Sequence, residues 1–127
     1  MRLWHESLIA KLPRQQLLGQ HRECCALRGN GWGKRHSTVD YVFDYSPGRL
    51  AAYHIRVMQE MERRGYQPDQ VWYDATYRGK NCKPHKKIVG YMAGYYLTCE
   101  GVVYREHDDE YLAECLGNSE GKGVVVA

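Results

Sequence analysis

The sequence lacks any long apolar run. No stretch approaches the run of about 20 apolar residues that crosses a bilayer, and the final GKGVVVA is too short even to lie in one. Internal repeats, linkers and low-complexity tracts are also missing from the 127 residues, a length typical of one domain. We therefore expect a single globular domain over residues 1–127 with no membrane partner.

Cysteine patterns of the common structural kinds are absent as well. The five cysteines are odd in number, show no CxxC spacing and follow no signal peptide, which predicts reduced thiols in a cytoplasm. The best metal-ligand set joins Cys82, His85, Cys99 and His107, and only its first two members have short ligand spacing. We expect no disulfide scaffold and no metal, and a Cys/His metal module is the least favoured interpretation.

Charge of one sign is not in large excess, and phenylalanine is nearly missing. Eighteen Lys and Arg against 15 Asp and Glu give a net charge of +3, too small by itself to identify a polyanionic partner. The chain has 11 Tyr and 3 Trp but 1 Phe, and Tyr and Trp rings pack on one side while they hydrogen-bond on the other. The distribution of the charges therefore has to indicate the partner.

Helical periodicity predicts a mainly α fold, a compact bundle of about three helices with long irregular connections. Pro13 begins a first helix that runs to about Arg28, before the GNGWG stretch. Ser46 caps a second helix, which ends at Gly65. A short last helix, capped by His107 or Asp108, is expected through DDEYLAECLG.

Two segments fit more than one structure. KRHSTVDYVFDY fits either a short strand or a helical turn, because its alternation is too brief to decide. KKIVGYMAGYYLTCEGVVY fits either a helix or two short strands. For residues 66–105 as a whole, the pattern favours irregular structure with short helical pieces.

The first helix has one core face and one polar face. At about 100° per residue, the core face collects Leu17, Leu18, His21, Cys24 and Cys25, and the other face collects Gln15, Gln16, Gly19, Arg22, Glu23 and Ala26. The cysteines are therefore expected to be buried as small apolar residues rather than to act in redox chemistry. Gly19 and Ala26 leave the polar face shallow, so that a flat ligand could approach the helix there.

Positive charge gathers in two loops. RGKNCKPHKK, residues 78–87, has five basic residues and no acid, and tyrosines flank it on both sides. RGNGWGKRH follows the first helix, and its glycines let the backbone approach a phosphate. Cations neutralise phosphates and rings accept unstacked bases, so we expect nucleic acid to bind Lys34, Arg35, Lys86 and Lys87. The alternative is that both are solvated basic loops.

Glu23 needs a nucleophile beside it if it is to be catalytic. The chain has no Ser-His-Asp or Cys-His pattern in a recognisable context, but an α-amine, with a pKa of about 7.7 to 8.0, is partly uncharged at neutral pH. An amine that attacks a sugar C1′ displaces the base and forms an imine, and a carboxylate stabilises the positive charge that develops. Alternatively, Arg22 and Glu23 are a solvated surface pair.

The residues above resemble those of the pyrimidine-dimer DNA glycosylase family, the endonuclease V type of small viral and bacterial enzymes. The resemblance covers the N-terminal half: RQQLLGQHRE with its Arg-Glu pair, the basic segment, and a long helix ending RRGY at residues 63–66. It implies a bundle of about three helices with glycosylase and AP lyase activity on cyclobutane pyrimidine dimers or abasic sites, in which a base leaves the stack. The implied partner is UV-damaged double-stranded DNA in the cytoplasm, at a bacterial nucleoid, with no metal or organic cofactor.

The resemblance also implies roles for single residues. Glu23 takes the place of the catalytic glutamate, and Arg22 that of the arginine that grips the phosphate next to the lesion. Since aminopeptidases do not cut before a residue as large as Arg2, the imine-forming amine is expected to be that of Met1. The DNA contacts implied by the resemblance or by the basic loops are Arg2, Gln15, Arg22, Arg28, Lys34, Arg35, Lys86 and Lys87. The alternative function is a non-catalytic nucleic-acid-binding module on the same scaffold.

Overall fold

A computed structural model of the chain describes residues 3–29, 40–99 and 103–121. These residues form four α-helices: α1 (Arg14–Arg28), α2 (Pro47–Arg63), α3 (Lys87–Thr98) and α4 (Asp109–Gly121). Short 3-10 helices occupy Glu6–Lys11, Asp40–Asp44 and Gln70–Tyr73. The described ranges contain no strand, which confirms the mainly α fold, and none of their helices is long and apolar enough to span a membrane.

The central helix, α2, begins and ends where the sequence predicts. The Ser46 hydroxyl accepts a hydrogen bond from the backbone N–H of Gly48 at 3.1 Å, and Pro47 opens the first turn. Gly65 has a φ of 91°, a left-handed conformation that favours glycine and ends the helix. Most of the helix is buried between its neighbours, including Leu50, Tyr53, His54, Val57 and Met58.

The first helix, α1, packs on α2 with the rotation that its apolar pattern predicts. Leu17, Cys24 and Leu27 are buried, whereas Arg22 and Ala26 are exposed. Two polar residues, Gln20 and Arg28, are buried with them at 2% and 3% exposure. Neither was expected in the core, and both prove important to the arrangement of the site.

The third helix, α3, is continuous, so the irregular structure favoured for this part of residues 66–105 is wrong. A Cβ on Gly48 of α2 would lie 2.7 Å from the Met92 Cβ and 2.9 Å from the Val89 carbonyl oxygen. The two backbones therefore approach closely, and Val89 and Ala93 are buried in the contact. Packing of this kind, rather than local propensity, supplies most of a helix's stability, and a local pattern cannot reveal it.

The last helix, α4, follows an acidic cap as expected. The Asp108 carboxylate accepts from the Tyr111 N–H at 2.9 Å, and Asp109 and Glu110 lie in the first turn, where the helix dipole favours negative charge. The segment Asp40–Asp44 forms a helical turn rather than a strand. The core is centred on α1 and α2. It is completed by Cys115 of α4, by Tyr104 and by apolar residues that precede α1.

Candidate functional site

Arg22 and Glu23 lie on the side of α1 that the core leaves accessible. Arg22 is exposed and Glu23 is half-buried. A Cβ on Gly19 would lie 3.7 Å from a terminal nitrogen of Arg22, so the missing side chain gives the guanidinium room beside the helix. Gln15 and Ala26 are also exposed on α1. The structure thus places the predicted polar residues on a shallow surface, and their roles stay predictions.

The backbone at Leu3 and Trp4 is fixed to the core beside this helix. The Gln20 side-chain oxygen accepts from the Trp4 N–H at 2.7 Å, and the Tyr53 hydroxyl donates to the Trp4 carbonyl oxygen at 2.6 Å. The Tyr53 hydroxyl also lies 2.8 Å from the Gln20 oxygen. The Tyr111 hydroxyl donates to the Leu3 carbonyl oxygen. Residues of α1, α2 and α4 therefore hold the start of the described chain.

The residue that holds this backbone lies close to Glu23 on α1. Gln20 precedes Glu23 by three residues, and side chains three apart are neighbours on a helix surface. Met1 and Arg2 themselves lie outside the described residues, so the expected amine and the expected Arg2 contact stay predictions.

Arg28 does not face solvent: it is 3% exposed, and its expected DNA contact stays a prediction. Its guanidinium donates to the His54 Nδ1 at 2.9 Å and to the carbonyl oxygens of Trp72, Asp74 and Tyr77 at 2.8, 2.8 and 3.1 Å. Burial lowers the pKa of Arg28 to about 10, which still leaves it charged at neutral pH. These contacts hold residues 72–77 against α1 and α2. Spacing on α1 could not show this, because the partners lie more than 40 residues away along the chain, apart from His54.

His21, Cys25 and His54 form a second polar group with the donor atoms of a zinc site. The His21 Nδ1 lies 2.8 Å from the His54 Nε2, which lies 3.8 Å from the Cys25 sulfur. Because Arg28 only donates, the His54 Nδ1 accepts, and its Nε2 carries the proton that is donated to His21. A metal would require the His54 Nε2 without that proton, beside the charge of Arg28.

We therefore interpret this group as a hydrogen-bonded chain. Burial raises the pKa of Cys25 to about 11, so its sulfur stays a protonated thiol at neutral pH. Burial also lowers the pKa of His54 well below the usual value, which keeps the ring neutral. All five cysteines fall within the described residues and are free. In those residues, the other candidate metal set is not gathered into one cluster.

The basic segment 78–87 contacts the end of α1 at Arg78 and leads into the start of α3. The Arg78 side chain turns inward and donates to the Arg28 carbonyl oxygen at 3.1 Å. Further along, the His85 N–H donates to the Thr76 carbonyl oxygen at 2.8 Å, and Lys86 and Lys87 are exposed at the start of α3. Lys34 and Arg35 lie outside the described residues. Lys86 and Lys87 are thus accessible to a polyanion.

The family model for pyrimidine dimer DNA glycosylase matches residues 1–74, more than half of the chain. The chain belongs to this family. No curated protein and no solved structure matched it. In this glycosylase family member, the matched part contains α1, α2 and the 3-10 helix at Gln70–Tyr73, whereas α3 and its lysines lie beyond the match.

Gln20 and Tyr53 are the residues beside the candidate site that the sequence did not reveal in this glycosylase family member. Gln20 shares the helical phase of Leu17, Cys24 and Leu27, so a polar residue at an apolar position was the available signal. Tyr53 lies in an apolar stripe of α2, where the pattern reports burial but gives no partner for the hydroxyl. Both contacts join residues far apart in sequence.

Proposed function

We propose that this glycosylase family member excises cyclobutane pyrimidine dimers and nicks abasic sites, with the Met1 α-amine as nucleophile and Glu23 as catalytic carboxylate. The observation that carries this proposal is the Trp4 backbone, held by a hydrogen bond to Gln20, which precedes Glu23 by three residues on α1. Membership of the family supplies the class of substrate. The chemistry uses no metal and no organic cofactor.

The proposed reaction begins with attack of the neutral amine on the sugar C1′. A C–N bond to the protein forms as the bond from C1′ to the base breaks, and the base leaves with the proton that the amine nitrogen loses. Opening of the sugar ring, with a proton taken up by O4′, then gives a protonated imine. Glu23 stabilises its positive charge and accepts a proton from C2′, so that the 3′ phosphate leaves and the strand is cut.

Arg22 and the basic loops hold the DNA in this proposal. The exposed Arg22 binds a phosphate next to the lesion, and Gly19 and Ala26 let the backbone of damaged double-stranded DNA approach α1. Gln15 faces the same DNA, while Arg2, Lys34, Arg35, Lys86 and Lys87 neutralise further phosphates. Such a protein would act at the bacterial nucleoid in the cytoplasm.

The decisive experiment compares Glu23→Gln with Arg22→Gln on duplexes with a pyrimidine dimer or an abasic site. Glu23→Gln removes the charge and keeps the shape, so it should bind normally but nick at least about 10² times more slowly. Arg22→Gln should weaken binding first. Glu110→Gln, an exposed carboxylate on α4, serves as the matched control and should behave like the parent protein.

Borohydride during turnover should trap a covalent adduct, because only an imine is reduced in place. Peptide mapping should find the DNA on the α-amine of Met1. An adduct on Lys11 would keep the lyase but change its nucleophile. If no adduct forms and Glu23→Gln nicks DNA at the parent rate, the protein is instead a non-catalytic nucleic-acid-binding module on the same scaffold.

A further inference from the structure

The outer side of α3 carries an exposed aromatic surface. Ile88, Tyr91 and Tyr95 are exposed by 60%, 74% and 63%. With Lys87, Gly94 and Thr98, they lie within about a third of the helix circumference at about 100° per residue. Two large rings of this exposure on one face are unusual, because contiguous exposed apolar surface commonly marks an interaction site. We call these residues the α3 face.

The rotation of α3 is fixed by its contact with α2. A Cβ on Gly48 would lie 2.9 Å from the Ala93 nitrogen, so the close backbone contact leaves α3 little freedom to turn. Val89 and Ala93 are buried on the inner side, which directs Tyr91 and Tyr95 outward. At Gly94, nothing lies within 4 Å of the place that a Cβ would occupy, so the surface beside the two rings is open. The rings are thus held in an accessible position by backbone packing.

The chain segment that contains the α3 face carries charge of one sign. From Arg78 to Cys99 the sequence contains five basic residues and no acidic residue. Three of the lysines, Lys83, Lys86 and Lys87, are exposed at or before the first turn of α3. An apolar protein partner would not need this charge, whereas a polyanion with flat rings matches both the lysines and the tyrosines.

We propose that the α3 face binds unpaired DNA, with bases stacked on Tyr91 and Tyr95 and phosphates on Lys83, Lys86 and Lys87. Unpaired bases fit because a duplex hides the flat sides of its bases within the stack. The two rings are about 6 Å apart along the helix axis, which allows more than one base to be held. The face lies beyond the residues that the family model covers, so it is a binding site additional to the Arg22-Glu23 surface. It shares DNA as a partner and Lys86 and Lys87 as phosphate contacts with the proposed function, but none of its catalytic groups.

The test measures affinity for a labelled oligothymidylate by fluorescence anisotropy. Tyr91→Ala and Tyr95→Ala should each weaken binding about tenfold, the scale of base-aromatic stacking. Tyr91→Phe and Tyr95→Phe keep the flat ring and should bind within about twofold of the parent. Leu116→Ala removes a 40% exposed side chain from α4 and is the matched control. Lys87→Gln should reduce the salt slope by about 0.7, the value for one phosphate of a single strand.

Three results would overturn the proposal. The first is parent-like DNA affinity of both alanine variants, and the second is an equal loss of affinity in the phenylalanine and alanine variants. The third is conversion of a dimer to a monomer by the alanine substitutions, which would show that the face binds a second copy of the chain. Nicking of an abasic duplex is measured alongside. Parent-like nicking with no effect of Tyr91→Ala or Tyr95→Ala on affinity would reject the α3 face alone and leave the proposed function intact.

Discussion

Tyr53→Phe tests whether the pinned N-terminal backbone serves catalysis. The substitution keeps the ring in the core and removes the hydroxyl that donates to the Trp4 carbonyl oxygen at 2.6 Å. Loss of a buried hydrogen bond that leaves its acceptor unpaired costs about 1 to 3 kcal/mol of unfolding free energy. Because a displacement of about 1 Å in a reacting group costs up to about 10² in rate, imine formation should slow by tenfold to about 10².

Tyr104→Phe is the matched control for this change. Tyr104 is also fully buried, and its ring centroid lies 6.4 Å from that of Tyr53, but its hydroxyl has no hydrogen-bond partner in the described structure. Removing an unpartnered buried hydroxyl should leave stability unchanged or raise it by about 1 kcal/mol. Imine formation should proceed at the parent rate.

The assay is single-turnover borohydride trapping on an abasic duplex, at a temperature where urea unfolding shows each variant fully folded. DNA affinity is measured in parallel and should not change, because neither hydroxyl lies on the Arg22-Glu23 surface. Equal trapping rates for Tyr53→Phe and Tyr104→Phe would refute the reasoning. The Trp4 anchor would then contribute to stability and not to the position of the amine.

Three further predictions concern other parts of the protein. Burial lowers the pKa of His107 to about 3 in the folded state, below an unfolded value of about 6.5, so its contribution to stability is full above pH 6.5 and is lost as the pH falls. By linkage the unfolding free energy falls by about 2 kcal/mol between pH 7 and pH 5. Urea unfolding at the two pH values should show this loss in the parent and a smaller loss in His107→Gln. An equal loss in His107→Gln would contradict the prediction. Arg28→Gln leaves carbonyl acceptors of residues 72–77 unpaired and should lower the unfolding free energy by about 3 kcal/mol or more, as measured by urea unfolding. A loss of DNA affinity without a loss of stability would instead show that Arg28 contacts DNA. Ala26→Leu should weaken binding of damaged DNA while the unfolding free energy stays within about 0.5 kcal/mol, and a larger destabilisation would show that Ala26 is buried.

The helix boundaries could be predicted where local chemistry sets them. Ser46, Pro47 and Gly65 act within a few residues of themselves, through a cap, a fixed φ and a left-handed turn, so the sequence is enough to place α2. The rotation of α1 follows for the same reason, since apolar spacing alone decides which side is buried. The exposure of Arg22 and Ala26 could therefore be anticipated before any contact was known.

Contacts between distant residues could not be predicted in this way. The α3 helix depends on a close approach to Gly48, about 40 residues earlier in the chain, and its own glycines weaken the local signal. Arg28 illustrates the same limit at the site, because a basic residue at the end of a helix ordinarily suggests a solvent-exposed charge. Its actual partners are carbonyl oxygens of a later segment that has no pattern pointing back to α1.

The buried polar residues of α1 explain how a small helical core positions an exposed site. Gln20 and Arg28 each occupy a place in the core that an apolar side chain could fill. A buried polar side chain contributes less to stability than a leucine of similar size unless every polar atom has a hydrogen-bond partner. Each residue fixes a segment that could not be held by apolar contact alone, since hydrogen bonds specify direction where apolar packing tolerates sliding. Gln20 fixes the backbone at Trp4, and Arg28 fixes residues 72–77, which lead into the basic segment. The backbone at Trp4 and the segment that leads to the proposed phosphate-binding lysines are therefore both held by the helix that carries Arg22 and Glu23.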